Sequence, residues 1–208
     1  MVGGIALAHA APYTVDDLFA MPDDGNRYEV LDGALIVSPA PTYRHQVAAD
    51  RLRALIAEVL PDGLEAVTAT AVRLDDDTGF IPDVLVTDAD PEQISRDIPT
   101  ARVLTVMEVV SPSTRTQDRI TKPARYAAAG IPCYWRVELD AFPMLGQSGP
   151  IEPPAIVVTV TGSAETLPFG AGKQAAVPLA IDRDPGGPTL VYVKFDPAAL
   201  TGRRHAAL

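Results

Sequence analysis

Cysteine is nearly missing: Cys133 is alone in 208 residues. No intrachain disulfide can form, and a reducing compartment is the natural setting. Cys133 lies in the apolar run "IPCYWRV" and reads as a packed small hydrophobe rather than a nucleophile. Positive charge is scarce as well. Lys and Arg number 17 against 27 Asp and Glu, a net charge of −10. That argues against broad nonspecific nucleic-acid binding, which depends on neutralising phosphates. It leaves room for a local basic site, or for acidic residues that hold metal. Long apolar runs are absent, so no window spans a membrane. The opening "MVGGIALAHAAP" is similar to a short signal core but has no basic n-region. Residues 1–11 are expected to form a loose or strand-forming tail, and the chain is expected to be cytoplasmic, with no membrane association. There is no paired Cys/His zinc spacing, no phosphate-cradling Gly loop and no Gly-x-Ser-x-Gly elbow. Ser111, Ser113 and Thr114 therefore read as turn and cap residues.

What is present suffices for a core. Apolar residues make up 47%, while 20 prolines and 15 glycines imply many turns. "YTVDDLFAMP" opens a short helix with a near capping box, Thr14 and Asp17. In "RYEVLDGALIVSP", Asp32-Gly33 between two apolar runs predicts a hairpin. "TYRHQVAADRLRALIAEVLPDG" carries a helical apolar stripe, with Thr42 as cap. "LEAVTATAVRL", "FIPDVLVTD" and "ARVLTVMEVVS" each predict one strand. "TRTQDRITKPARYAAAG" predicts a helix closed by Gly130, and "IPCYWRVEL" a fourth strand. This order implies an α/β domain with a central mixed sheet flanked by helices and preceded by a hairpin. Past Asp140, "IVVTVTG" and "TLVYVKFD" read as further strands. Residues 141–200 are expected on the same domain as 12–140, with 201–208 as a mobile tail.

Two carboxylates interrupt apolar runs: Asp83 in "FIPDVLV" and Glu108 in "VMEVV". Ionised carboxylates are rarely buried unless paired or bound to metal. If the strands are neighbours, the two acids meet at one sheet edge. Their repulsion is then relieved by an oxygen-liking cation such as Mg²⁺, which takes one or two carboxylates plus waters and a substrate phosphate. The bland alternatives remain open here. Asp83 can cap a turn or accept a backbone amide, and Glu108 can pair with Arg102, Arg125 or Arg136. Downstream, Arg115, Arg119, Lys122 and Arg125 oppose Asp118 alone. That local basic run suits an anionic substrate, or is simply a solvated helix face. Tyr126 and Trp135 read as core aromatics.

Taken together, "RYEVLDGALIVSPAPTYRHQ", "IPDVLV", "MEVVSPSTRTQD", the lysine and "YAAAGIPCYW" resemble the Uma-two family of restriction-endonuclease-like proteins, in the PD-(D/E)xK nuclease superfamily. The resemblance runs over roughly residues 12–140. It implies a nuclease-like core in which Asp83 is the PD aspartate and Glu108 the following acid, both ligating Mg²⁺ or Mn²⁺. The signature wants lysine two residues after the acid, on the same strand face. Val110 stands there. Lys122, from the next helix, fits the role of orienting water or offsetting phosphate charge. Pro123 puts its reach in question, because proline disturbs the residue before it and removes a helical donor. Arg119 or Arg125 can then substitute electrostatically. Glu29 matches an acid of the family's early motif: either a third carboxylate near the metal, or a partner of Arg27 or a neighbouring strand. His45 opens the long helix and either touches the phosphate as an acid/base or is structural.

The expectation is thus a Mg²⁺- or Mn²⁺-dependent endonuclease acting on nucleic acid, DNA first, with Asp83, Glu108, Lys122, Glu29 and His45 at its site and a homodimer by analogy. The rival is a catalytically inactive nuclease-fold relative that binds nucleic acid or protein. A third reading is an assembly role for the Pro-rich stretch after Asp140.

Overall fold

In the computed structural model, residues 12–94, 96–142, 151–163, 166–184 and 186–202 are described. The tail expected at 1–11 and all but the first two residues of that expected at 201–208 lie outside them. A short helix α1 (Val15–Leu18) opens the described chain. The Asp17 carboxylate accepts the Thr14 amide at 2.7 Å. Strands β1 (Arg27–Leu31) and β2 (Ala34–Ser38) then form the expected hairpin. Asp32 and Gly33 both take positive φ, 50° and 73°, as a primed two-residue turn demands. Helix α2 (Tyr43–Ala57) follows, and Thr42 accepts the His45 amide as its cap.

Two expected strands are each broken in two. "LEAVTATAVRL" becomes β3 (Glu65–Thr68) and β4 (Ala71–Arg73), because Ala69 turns the chain with a φ of 50°. The halves enter different sheets. "FIPDVLVTD" becomes β5 (Gly79–Phe80) and β6 (Val84–Thr87). Pro82 has no N–H for a ladder, so the strand stops there. Asp83 accordingly stands immediately before β6 rather than inside a strand. After β7 (Asp97–Pro99) and a single 3₁₀ turn, β8 (Val103–Val109) is buried along its whole length. A helical segment leads into α3 (Lys122–Ala128), and β9 (Cys133–Glu138) follows. Gly130, with φ 76°, closes α3: its amide donates to Ala127, and the Ile131 amide to Tyr126. The chain ends with β10 (Ala155–Val160), β11 (Thr166–Phe169), β12 (Ala175–Ala180) and β13 (Leu190–Phe195).

The central sheet has six strands in the order β11-β10-β9-β8-β6-β3. It is mixed: β8 and β9 run parallel, and the other pairings are antiparallel. Alternation sorts its two faces. Met107 and Val109 of β8, with Cys133, Trp135 and Val137 of β9, pack under α2 and the β12–β13 pair. Trp135 donates to the Pro178 carbonyl at 2.8 Å. Val106 and Tyr134 point to the opposite face, where Tyr126 of α3 and Phe80 cover them. By the same alternation Glu108 belongs to this second face. A second sheet, β2-β1-β5-β4-β7, carries the hairpin. The architecture is α/β with a central mixed sheet between helices.

Candidate active site

Antiparallel pairing sets Val84 of β6 against Met107 of β8. One step on, Asp83 comes level with Glu108 at the carboxyl end of β8. Asp83 is 5% exposed and Glu108 1%. The Asp83 carboxylate accepts the Val109 amide at 2.8 Å, Arg27 Nη1 at 2.7 Å and His45 Nε2 at 3.0 Å. His45 Nδ1 is buried and has no hydrogen-bond partner among the described residues. From β1, Glu29 Oε1 accepts the Ile81 amide at 2.8 Å.

Lys122 binds these elements together. Its Nζ lies 2.9 Å from Glu108 Oε1 and 3.0 Å from Glu29 Oε1. Tyr126 adds its hydroxyl to Glu108 Oε1 at 3.1 Å. The bland partners considered for Glu108 are elsewhere: Arg102 meets Asp88, Arg125 meets Asp32 and Arg136 lies against Glu138. Glu29 pairs with Lys122 rather than with Arg27. Arg119 and Arg125 do not stand in for the lysine, since Arg119 is held by Glu138.

Pro123 does not deny Lys122 its reach, and the reason is local. The turn Gln117–Thr121 is a π-helix, and the Lys122 amide donates to the Gln117 carbonyl. The widened turn accommodates a proline that has no N–H to give. It also takes the usual amide partner from the Asp118 carbonyl. Tyr134 replaces it, donating its hydroxyl to that carbonyl at 2.7 Å. Asp118 itself turns inward and is 2% exposed. Its Oδ2 accepts the Thr114 hydroxyl, and its Oδ1 lies 3.8 Å from Lys122 Nζ. Sequence reasoning missed Asp118 and the hydroxyl role of Tyr126. The signal existed: 118, 122 and 126 recur every four residues, one helix face.

Three buried acids, Glu29, Glu108 and Asp118, face one buried ammonium, and Asp83 beside them is answered by Arg27, so negative charge is in excess. Burial pushes the Glu108 carboxyl up to about 8; Lys122 opposes this, while Asp83, Asp118 and Glu29 add to it. Asp118 is pushed up to about 6 by burial, against the pull of Lys122 and Thr114. For Asp83, burial is outweighed by His45 and Arg27, which hold it down to about 2. Lys122 is raised: burial works against its charge, but Glu108, Glu29 and Asp118 prevail. A pocket of about 190 Å³ opens over these groups, lined also by Thr42, Ser111 and Ser113.

The donor set suits a hard divalent cation. It is all oxygen, it carries surplus negative charge, and Asp118 Oδ1 is buried without a hydrogen-bond partner among the described residues. Among the described residues no three His, Cys, Asp or Glu side chains already converge as a ligand set. Mg²⁺ needs no such cage, because it keeps several waters and uses one or two carboxylates.

A family model described as "Uma2: Putative restriction endonuclease" matches residues 15–148, which include every residue of this pocket. The chain belongs to the Uma2 family. Among solved structures, the fold is similar to a crystal structure of "a putative nuclease belonging to DUF820 from Anabaena variabilis ATCC 29413". The TM-score is 0.62 at 20% identity, covering 80% of this chain and 89% of that one. At that identity the likeness speaks for the fold. No curated protein matches the chain. Within this Uma2 chain, no helix among the described residues is long and apolar enough to cross a membrane.

Proposed function

We propose that this Uma2 chain hydrolyses phosphodiester bonds of DNA with Mg²⁺ or Mn²⁺. The observation that carries the reading is Lys122 Nζ at 2.9 Å from Glu108, beside Asp83 in the same pocket. Two acids and a lysine are the parts that such hydrolysis needs, and here the lysine comes from a helix. Asp83 and Glu108 would hold the cation. When bound, it supplies a water of lowered pKa and neutralises charge at the phosphate. Lys122 orients the attacking water and offsets charge that develops on the phosphate oxygens. Glu29 fixes the ammonium, since it holds both Lys122 and the Ile81 amide. His45, with Nδ1 unpartnered among the described residues, is the acid/base group. Asp118 positions Lys122 from four residues away. A homodimer would present two such sites to the two strands of a duplex.

One observation favours a second reading, a catalytically inactive binding module: Arg27 and His45 already engage Asp83. A single experiment separates the two. Mn²⁺ and Mg²⁺ binding is measured by calorimetry, and plasmid nicking on the same samples, for wild type, Asp83→Asn and Glu108→Gln. Binding and nicking that are present in wild type and lost in both variants support the nuclease. A folded wild type that binds neither ion sinks it. Size exclusion with and without EDTA tests the dimer and the assembly role.

A further inference from the structure

The sheet face that carries Glu108 continues beyond the pocket. Register places Arg136 of β9 beside Glu108, and Val157 of β10 beside Arg136. Arg136 is therefore one strand further along that face, ~4.8 Å away in backbone spacing. Arg119 reaches the same spot from the π-turn next to Asp118. Both guanidiniums share one buried carboxylate. Arg119 donates from Nε and Nη2 to the two oxygens of Glu138, each at 2.8 Å. Arg136 Nε is 2.8 Å from Glu138 Oε1 but off-angle, and no hydrogen bond forms. The two cations also stand over the ring of Phe142, 5.4 and 5.2 Å from its centroid.

A lock between helix and sheet needs one arginine on Glu138, and Arg119 already supplies it with both donors. Arg136 is ion-paired to the same carboxylate through Nε at 2.8 Å, so one buried acid answers two guanidiniums and the cluster keeps one positive charge in excess. Burial lowers its pKa and neighbouring Arg119 adds to this, against Glu138. A guanidinium stays charged regardless. Its Nη1 and Nη2, and Nη1 of Arg119, make no hydrogen bond among the described residues. The side chains remain 24% and 16% exposed for Arg119 and Arg136. Two forked donors with free edges, carrying surplus positive charge in a chain of net −10, match a phosphate.

We propose that Arg136 and Arg119 form a ledge that binds a backbone phosphate of DNA adjacent to the phosphate in the pocket, with Glu138 and Phe142 as its brace. This rests on the nucleic-acid reading of the pocket, but not on hydrolysis.

The test is fluorescence anisotropy with a labelled short DNA duplex in EDTA, across a salt series, with thermal melts alongside. Arg136→Gln is expected to weaken binding roughly tenfold at low salt and to lower the slope of log K against log salt by about 0.9. Arg136→Lys keeps the charge and so keeps the slope, but loses affinity with the fork. Arg119→Gln lowers the slope too, so a misfolded Arg136→Gln still leaves a decision. Folded glutamine variants with unchanged slope overturn the ledge, as does a wild type that fails to bind duplex. Inorganic phosphate at matched ionic strength is expected to compete weakly, since it forfeits the pocket contact. Strong displacement would make this a free-phosphate site and overturn the backbone assignment. Slope changes as expected, without plasmid nicking, would sink hydrolysis and leave the ledge standing.

Discussion

The ammonium of Lys122 lies 2.9 Å from Oε1 of Glu108, a residue 14 positions earlier in the chain. Both are buried, and the same nitrogen holds Glu29 at 3.0 Å. Removing one partner of such a set leaves uncompensated charge inside, at a cost of about 3–5 kcal/mol. Lys122→Met is therefore expected to destabilise by that amount in chemical denaturation. Nicking should fall by at least about 10²-fold, the usual loss for one donor to a developing oxyanion. Adding Glu29→Gln to Lys122→Met removes one of the orphaned charges. It should restore part of the stability and none of the nicking. No recovery in the double variant would mean that the ion pair is not the source of the loss.

The pH dependence follows from the direction of each shift. Glu108 rises from 4.5 to about 8 on folding, and Asp118 from 3.8 to about 6. A raised carboxyl binds its proton more tightly in the folded state. Its contribution is complete below the unfolded value and disappears as pH climbs through the folded one. In EDTA, the melting temperature should fall between about pH 4.5 and 8, and Glu108→Gln should flatten that decline. Asp83 runs the other way, from 3.8 to about 2, and weakens the fold only in that acid window. A profile that rises steadily from pH 5 to 8 in EDTA would refute the surplus of negative charge.

A cation that relieves this surplus should stabilise the folded state by mass action. At about 100 times its dissociation constant, Mn²⁺ adds about 2.7 kcal/mol. The gain should appear in melts of wild type and be absent in Glu108→Gln. Equal gains in both would place the ion outside this pocket.

Tyr134→Phe tests the π-turn. The lost hydroxyl leaves the Asp118 carbonyl unpaired and buried, worth about 1–3 kcal/mol. Stability alone does not separate this from generic core damage. The telling readout is the pH–rate profile of nicking, which should shift if Asp118 and Lys122 lose their alignment. An unchanged profile with the full stability loss would reduce Tyr134 to packing.

Much of this was legible before the structure. Asp32-Gly33 announces its turn because two adjacent residues tolerate positive φ. Thr42 announces a cap because its oxygen can take an orphan amide. Glu108 announces itself because an acid in an apolar strand needs a partner. Other features were not legible. Ala69 breaks a strand without glycine or proline to mark it, and tertiary pairing of its halves in separate sheets decides the outcome. Asp118 was counted as one acid among cations, when its spacing from Lys122 and Tyr126 was the informative quantity. The grip of Arg27 on Asp83 joins residues 56 apart and exists only once β1 lies beside β5. Pro123 read as an obstacle, because the expected helix was an α-helix throughout.

The helix-borne lysine has a consequence for how such sites can change over time. A lysine on the acid's own strand is tied to it by the pleat, two residues and no other number. A lysine that arrives by packing is tied only by where its helix docks. The loop from Ser111 to Thr114 can then lengthen or shorten, and position 110 is free to hold an ordinary apolar residue, as Val110 is. Searches for a fixed spacing between acid and lysine would pass by a chain in which the two meet only through packing.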